Sequence, residues 1–120
     1  MICLAVTFVV QPGREEDAIG LFARLTEATR AEPGCRMDRA HRSADDPRKF
    51  LLYEQYDDRA ALDAHRASEH FVRLATRGLF PIIESRTPEL YEPLDLETGG
   101  GGDAKRSPRP GLGQGTQGAG

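Results

Sequence analysis

The chain has 120 residues, 38% of them hydrophobic and 29% charged, and its formal net charge is -3. This length favours one small soluble domain, because two domains would each bury too little surface to be stable. The mildly acidic charge argues against a nucleic-acid partner, which requires a clustered basic face. No apolar run approaches the roughly 20 residues that span a bilayer, and the apolar stretch 2–10 lacks the flanks of a signal peptide. We therefore predict a cytoplasmic protein without a membrane partner.

The last quarter of the sequence differs from the rest in composition. Nine of the 13 glycines lie between Gly99 and Gly120, where apolar residues are sparse. Such a segment buries too little apolar surface to offset the entropy lost on ordering. We predict a folded domain at residues 1–94 and a disordered Gly- and Pro-rich tail at residues 95–120.

The chain contains only two cysteines, Cys3 and Cys35. Without a secretory signal a disulfide framework is not expected, and two thiols are too few for a structural zinc site. We expect both cysteines to be small buried hydrophobic residues.

The first third of the chain predicts a strand followed by a helix. Residues Ile2–Val10 are apolar at both the odd and the even positions, which is typical of a strand covered on both faces. The turn residues 11–13 end it. Acidic residues from Glu15 onward then suit the first turn of a helix running to about Ala31, which Pro33 and Gly34 terminate.

The middle of the chain predicts a hairpin. Residues Cys35–Arg42 alternate like a strand but are polar, as expected near a sheet edge or a wet cleft. The loop Ser43–Pro47 consists of turn residues, and Phe50–Tyr56 then returns as a second β segment.

The third part predicts a capped helix and a last strand. Asp58 suits an N-cap position, and Ser68 suits a second cap at which the helix continues after a kink. Pro81 ends the helical region. Residues Ile82–Tyr91 form the last strand candidate, which Pro88 confines to an edge or a bulge.

The resulting order, βαββαβ, is that of an α+β ferredoxin-like fold. Two helices cover only one face of a four-stranded sheet, while the first strand is apolar on both faces. We therefore predict a homodimer in which two sheets pack face to face. In the ferredoxin-like order the third strand separates the first from the second, so Cys3 and Cys35 lie too far apart for a disulfide within the chain.

His65 is the candidate functional residue. It lies in the apolar stripe of the second helix, so it is either a core histidine or a proton-transfer group oriented by Glu54 or Tyr53 of the third strand. Glu54 shares its parity with apolar residues and needs a partner in either case. His70 is five residues further along, on a different face of a continuous helix, so no metal site is predicted.

Several segments resemble the antibiotic biosynthesis monooxygenase family, with a quinol monooxygenase-like branch as the nearest type. They cover about residues 2–94 and are Glu32–Cys35, Ser43–Pro47, Phe50–Tyr56 and Ala64–Phe71. The resemblance implies a dimeric α/β barrel. It also implies a cofactor-independent oxygenase that uses dioxygen on a small phenolic, quinol or anthrone-like substrate. By the same resemblance, His65 is expected to be the proton-transfer or oxyanion-contacting group, with Glu54 as its orienting partner and Tyr53 as a pocket residue.

Two departures qualify this resemblance. Asp38 stands where related sequences often carry an aromatic residue, and Glu69 replaces a common proline. A heme-degrading branch of this fold uses Asn, Trp and His, and this chain contains no Asn and no Trp. Two further functions stay open: isomerisation of a small phosphorylated signalling sugar, for which Arg39 and His41 suit an anion, and a binding or dimerisation module without chemistry.

Overall fold

The computed structural model describes residues 1–96. The strands are β1 (Ile2–Val10), β2 (Cys35–Arg42), β3 (Lys49–Tyr56) and β4 (Ile83–Tyr91), and the helices are α1 (Glu15–Arg30) and α2 (Arg59–Ala67). A π-helix, Phe71–Leu79, and a short 3-10 turn, Phe80–Ile82, connect α2 to β4. The predicted βαββαβ order is confirmed.

The four strands form one antiparallel sheet in the order β2-β3-β1-β4. This is the ferredoxin-like arrangement, and β3 separates β1 from β2 as predicted. Both cysteines are free thiols. Cys3 is buried, but the expectation of a buried Cys35 is wrong, because Cys35 begins the polar edge strand and is only partly covered.

The core lies between the sheet and the helices. Alternate residues of β1 supply its floor, and the matching residues of β3 continue it. From α1, Phe22 inserts between Phe8 and Phe50, with ring centroids 5.3 and 5.2 Å apart. These aromatic contacts fix α1 across the middle of the sheet, because each ring buries a large apolar area in a specific orientation.

The second helical region contains a break that positions the site. Asp58 is the N-cap of α2, and its side chain accepts a hydrogen bond from the N–H of Ala61 at 2.9 Å. At Ser68 the backbone turns extended, with ψ 153°. The Ser68 hydroxyl then accepts from the N–H of Phe71 at 3.2 Å, which confirms the second cap. The following segment is π-helical rather than the continued α-helix that we predicted, a form that often occurs at functional sites.

The other face of the sheet carries no helix in the part of the chain that the structure describes. β2 and β4 are the edge strands, which agrees with the polar pattern of β2 and with Pro88 in β4. Large apolar side chains on this open face include Met37 and Leu51, which are 44% and 39% exposed. Within residues 1–96 no helix is long and apolar enough to cross a membrane.

Candidate active site

His65 lies on the buried face of α2 and is only 3% exposed. Leu62, three residues earlier, is buried beside it, so the apolar spacing of α2 turns both side chains toward the sheet. Nδ1 of His65 lies 2.8 Å from Oε2 of Glu32. A carboxylate only accepts hydrogen bonds, so Nδ1 carries the hydrogen and Nε2 of the neutral ring is free to act as a base.

Glu32 reaches His65 because the turn after α1 packs closely on α2. A Cβ at Gly34 would overlap the side chain of Ala61 in the first turn of α2. The Gly34 carbonyl also accepts a hydrogen bond from the N–H of Asp57 at 2.9 Å. The absence of a side chain at residue 34 therefore allows the approach that places Glu32 beside the buried imidazole.

His70 contacts the same carboxylate oxygen. Its Nε2 lies 2.5 Å from Oε2 of Glu32, and the side chains become more exposed outward, from 3% for His65 through 14% for Glu32 to 20% for His70. The expectation that the two histidines face different directions is wrong. It assumed a continuous helix, whereas the extended backbone at Ser68 brings His70 back toward the turn.

This cluster is the one group among residues 1–96 whose donor set suits a metal. The ligand atoms of Glu32, His65 and His70 all lie within 4.8 Å of one another, and a carboxylate with two imidazoles suits several divalent metals. However, neighbouring ligands of a tetrahedral zinc lie about 3.4 Å apart. The two contacts of 2.8 and 2.5 Å are those of hydrogen bonds, so the side chains would have to separate before a metal could bind.

A carboxyl and a phenol lie on the other side of the His65 ring. Oε1 of Glu54 is 3.7 Å from Nε2 of His65, and Glu54 also accepts a short hydrogen bond from the hydroxyl of Tyr56. Both side chains project from the core face of β3 and are almost completely buried. The structure thus brings the predicted pair His65 and Glu54 together. The nearest carboxylate to the ring is nevertheless Glu32.

Burial sets the protonation states of these groups. Desolvation, and next the charge of Asp38, raise the pKa of Glu54 from 4.5 to about 8, against the lowering effect of the Tyr56 hydrogen bond. Desolvation also lowers the pKa of His65, against the raising effects of Glu32. At neutral pH the site therefore holds a mostly protonated Glu54 beside a neutral imidazole.

Asp38 faces Glu54 from the neighbouring strand and is the one buried residue of β2. One of its carboxyl oxygens accepts a hydrogen bond from Oγ1 of Thr26 at 3.1 Å, while the other has no partner within residues 1–96. Desolvation raises its pKa to about 7. Asp38, which stands where related sequences often carry an aromatic residue, therefore places a second carboxyl beneath α1.

A small cavity of about 20 Å³ lies beside His65 and Glu54. This is room for about one water molecule. Apolar side chains from the sheet, α1 and the π-helix form most of its wall. Phe71 and Phe80 stand on the helical side, and Arg66 and Arg86 supply the remaining polar groups.

A much larger groove of about 830 Å³ runs between α1 and β2, away from His65. Its lining includes Phe22, Phe50, Arg39 and His41. It is wide open because β2 is an edge strand, and it contains none of the buried carboxyl groups. Size favours this groove as a binding surface, but the perturbed titratable groups favour the small cavity as the site of chemistry.

Tyr53, the third predicted site residue, does not join His65 and Glu54. It has the opposite parity on β3, pairs in register with Ala5 of β1, and its hydroxyl accepts a hydrogen bond from the amide of Gln55 at 3.0 Å. Tyr56, by contrast, is two residues from Glu54 on the same face of β3 and contacts it. The parity of the strand was the signal that could have identified Tyr56, since side chains two apart share a face.

Fold and site together define a small α+β protein with a buried imidazole between carboxyl groups, under helices that cover one sheet face. The family model for antibiotic biosynthesis monooxygenase matches residues 1–77. The chain belongs to the antibiotic biosynthesis monooxygenase family. This membership supports a monooxygenase-like role.

Two relatives in sequence illustrate this membership. The chain is 34% identical over 71 residues to Rv0793 of Mycobacterium tuberculosis, which carries a provisional monooxygenase name, and the match covers 59% of this chain and 69% of that protein. It is 33% identical over 97 residues to the uncharacterised Synechocystis protein sll1783, with 81% and 66% covered. The match thus spans about two thirds of the length of these relatives.

Solved structures share the fold. The crystal structure of PA3566 from Pseudomonas aeruginosa superimposes with a TM-score of 0.73 at 30% identity, covering 78% of this chain and 93% of that one. Rv0793 gives a TM-score of 0.73 at 28% identity, covering 81% and 98%. A protein from Nitrosomonas europaea that is provisionally named an antibiotic biosynthesis monooxygenase gives a TM-score of 0.75 at 27% identity, covering 78% of this chain and 99% of that one.

Proposed function

We propose that this protein oxidises a small phenolic, quinol or anthrone-like substrate with dioxygen and without a cofactor. The observation that carries the proposal is His65, a buried imidazole whose Nδ1 is held by Glu32 and which lines a small, largely apolar cavity together with Glu54. Such a reaction needs a base for the substrate, a hydrogen-bond donor for the resulting oxyanion and exclusion of water. The site can supply all three.

His65 takes the substrate proton on Nε2 in the first step. The imidazolium that forms is stabilised by the Glu32 carboxylate on Nδ1, the role that a carboxylate plays beside a catalytic histidine elsewhere. Glu54, protonated at neutral pH, can donate a hydrogen bond to the oxyanion of the substrate. Its own position is fixed by the hydroxyl of Tyr56.

The substrate then supplies the electrons that reduce dioxygen. Its carbanion forms a C–O bond with dioxygen, and the peroxide takes the proton back from Nε2 of His65. Loss of water from the carbon-bound hydroperoxide leaves a carbonyl group on the substrate. One oxygen atom enters the product and the other leaves as water, so the balance requires no external reductant.

Oxygen consumption tests this proposal. A panel of anthrone, hydroquinone and 1,4-dihydroxynaphthalene is offered to the wild type and to His65→Gln, with His41→Gln on the exposed strand β2 as the matched control. We expect His65→Gln to lose about 100-fold in rate, since positioned acid–base groups contribute at least that much, and His41→Gln to match the wild type. Consumption no faster than without protein for every substrate would favour a binding module instead.

We also propose that a second copy of the chain covers the open sheet face. One row across this face, running through all four strands, begins at Glu89 and ends at Arg39, with Ala5 and Tyr53 between them. A copy related by a two-fold axis parallel to the strands would place Glu89 of one sheet over Arg39 of the other. The apolar residues between these edges, including Leu51, would then be buried.

A further inference from the structure

Two arginines border the cavity beside His65. Arg86 projects from the core face of the edge strand β4 and lies over the ring of Phe80, 4.8 Å from its centroid. Arg66 is the residue after His65 on α2 and is exposed at the outer side. Both line the same small cavity as Glu54.

Neither guanidinium has an ion-pair or hydrogen-bond partner within residues 1–96, although most arginines near the sheet have one. Arg30, Arg42 and Arg48, for example, each donate to a backbone carbonyl at 2.9 Å. Glu54, the carboxyl that lines the same cavity, is mostly protonated at neutral pH. Burial, and next the neighbouring positive charge of Arg66, lower the pKa of Arg86.

We propose that Arg66 and Arg86 bind an anionic group on the substrate, so that the substrate is an aromatic hydroxy acid rather than a neutral quinol. This inference rests on the proposed function for the reacting end of the molecule, which lies at His65. The anion relieves the repulsion between two like charges, and a guanidinium pairs with a carboxylate through two parallel hydrogen bonds. Half-burial of Arg86 strengthens this pairing by reducing the screening from water.

The surroundings favour a carboxylate over a phosphate. Phe71 and Phe80 present aromatic rings, and most other wall residues are aliphatic. Bringing a doubly charged, strongly hydrated group to such a wall costs more desolvation than bringing a single charge. An aromatic ring with one carboxylate places its apolar body against the phenylalanines and its charge at the arginines.

Three probes of similar size separate these chemistries. They are 4-hydroxybenzoate for the aromatic carboxylate, hydroquinone for the neutral counterpart and phenyl phosphate for the dianion. Binding to the full chain is measured by titration calorimetry and by NMR shifts of the His65 ring, which need no turnover. We expect 4-hydroxybenzoate to bind at least tenfold more tightly than either other probe, and its affinity to fall as salt is added.

Substitutions assign the preference to the arginines. Arg86→Gln should weaken 4-hydroxybenzoate binding about tenfold and leave hydroquinone binding unchanged. Arg86→Lys, which retains the charge but not the two parallel hydrogen bonds, should recover part of the loss, and this recovery would show that the effect is not one of folding. Arg66→Gln should lose less, because the residue is exposed. Arg59→Gln removes the same charge from the first turn of α2 and should have no effect.

Each contrary result is distinct. Equal affinity for 4-hydroxybenzoate and hydroquinone, or no binding of any probe, overturns the proposal. Tighter binding of phenyl phosphate that depends on Arg86 replaces the carboxylate with a phosphate. If Arg86→Gln slows hydroquinone oxidation without changing 4-hydroxybenzoate affinity, the guanidinium serves the reacting oxygen and the proposal is wrong. If no substrate consumes oxygen but 4-hydroxybenzoate still binds through Arg86, the proposed oxidation is rejected and the anion site is retained.

Discussion

Glu32 and His70 are separated by 38 residues, yet one carboxylate oxygen of Glu32 lies 2.5 Å from Nε2 of His70. The same oxygen holds Nδ1 of His65. Burial lowers the basicity of the imidazole most, and two neighbours then act on it with opposite effects, one negative and one that becomes positive on protonation.

The first prediction separates these two effects. Glu32→Gln removes a hydrogen bond and a negative charge that raise the pKa of His65, so the pKa should fall further below its ordinary value. His70→Gln removes a positive charge that lowers it, so the pKa should rise. We expect changes in opposite directions, measured by NMR titration of the His65 ring.

His41→Gln is the control for this titration, because His41 is exposed on β2 and bonds only to the carbonyl of Leu51 at 3.3 Å. It should leave the His65 titration unchanged. Changes of the same sign in the Glu32 and His70 variants would indicate a general loss of packing and would contradict the bridging role of Glu32.

The second prediction concerns stability against pH. The pKa of Glu54 is raised to about 8 and that of Asp38 to about 7, so between about pH 4 and pH 8 these two carboxyl groups bind more protons in the folded chain than in the unfolded chain. The free energy of unfolding should therefore decrease as pH rises through this window, by a few kcal/mol in order of magnitude. Urea denaturation between pH 5 and pH 9 measures it.

Glu54→Gln retains an acceptor for the Tyr56 hydroxyl but cannot ionise. Its stability should depend less on pH than that of the wild type, and above pH 8 it should be the more stable protein. Glu69→Gln is the control, because the Glu69 side chain is 91% exposed. Its stability should depend on pH as that of the wild type does. A stability that increases steadily from pH 5 to pH 9 would contradict the assignment.

The third prediction tests the close approach at Gly34. Gly34→Ala would push the turn away from Ala61, so it should destabilise the fold by about 1–3 kcal/mol. The same change at Gly20 in α1 meets no atom within 4 Å and should stabilise by about 0.5–1 kcal/mol, since alanine is the better helix former. Thermal and urea unfolding compare the two variants.

If the approach also positions Glu32, Gly34→Ala should shift the His65 titration in the same direction as Glu32→Gln. Loss of stability without a change in this titration would mean that the turn serves packing alone.

The fourth prediction concerns the open sheet face. Leu51→Asp places a charge among the apolar residues of that face and should convert the proposed dimer to a monomer in sedimentation equilibrium at micromolar concentration. Ile19→Asp introduces the same charge on α1, at a side chain of similar exposure, and should remain a dimer. A wild-type chain that sediments as a monomer would remove the proposal.

The fifth prediction concerns residues 95–120, of which 97–120 lie outside the described residues. A chain ending at residue 94 should match the full chain in sedimentation and oxygen consumption. A loss of either in the shortened chain would assign a role to this segment that its composition does not indicate.

The strands were predictable because their patterns have period two and their turns carry strong breakers. The polarity of β2 and the position of Pro88 even indicated the two edge strands, since both features are costly inside a sheet. The burial of His65 and Glu54 followed from parity and helical spacing in the same way.

Glu32 and His70 could not be assigned by the same reasoning. On a continuous helix, residues five apart such as His65 and His70 would lie on different faces. How far the backbone turns at Ser68 cannot be read from the sequence. Glu32 reaches the site through the contact between Gly34 and Ala61, which joins segments that are distant in sequence. Local pattern therefore identified the central histidine, while the groups that control it depend on tertiary packing.

The cavity beside His65 has a kinetic consequence. At about 20 Å³ it has room for about one water molecule but not for an aromatic ring. A ring-shaped substrate that reacts at His65, as proposed, would require wall side chains such as Phe71 and Phe80 to rotate before it could enter. Admission of the larger reactant, rather than supply of dioxygen, would then set the order of binding and the ceiling on turnover.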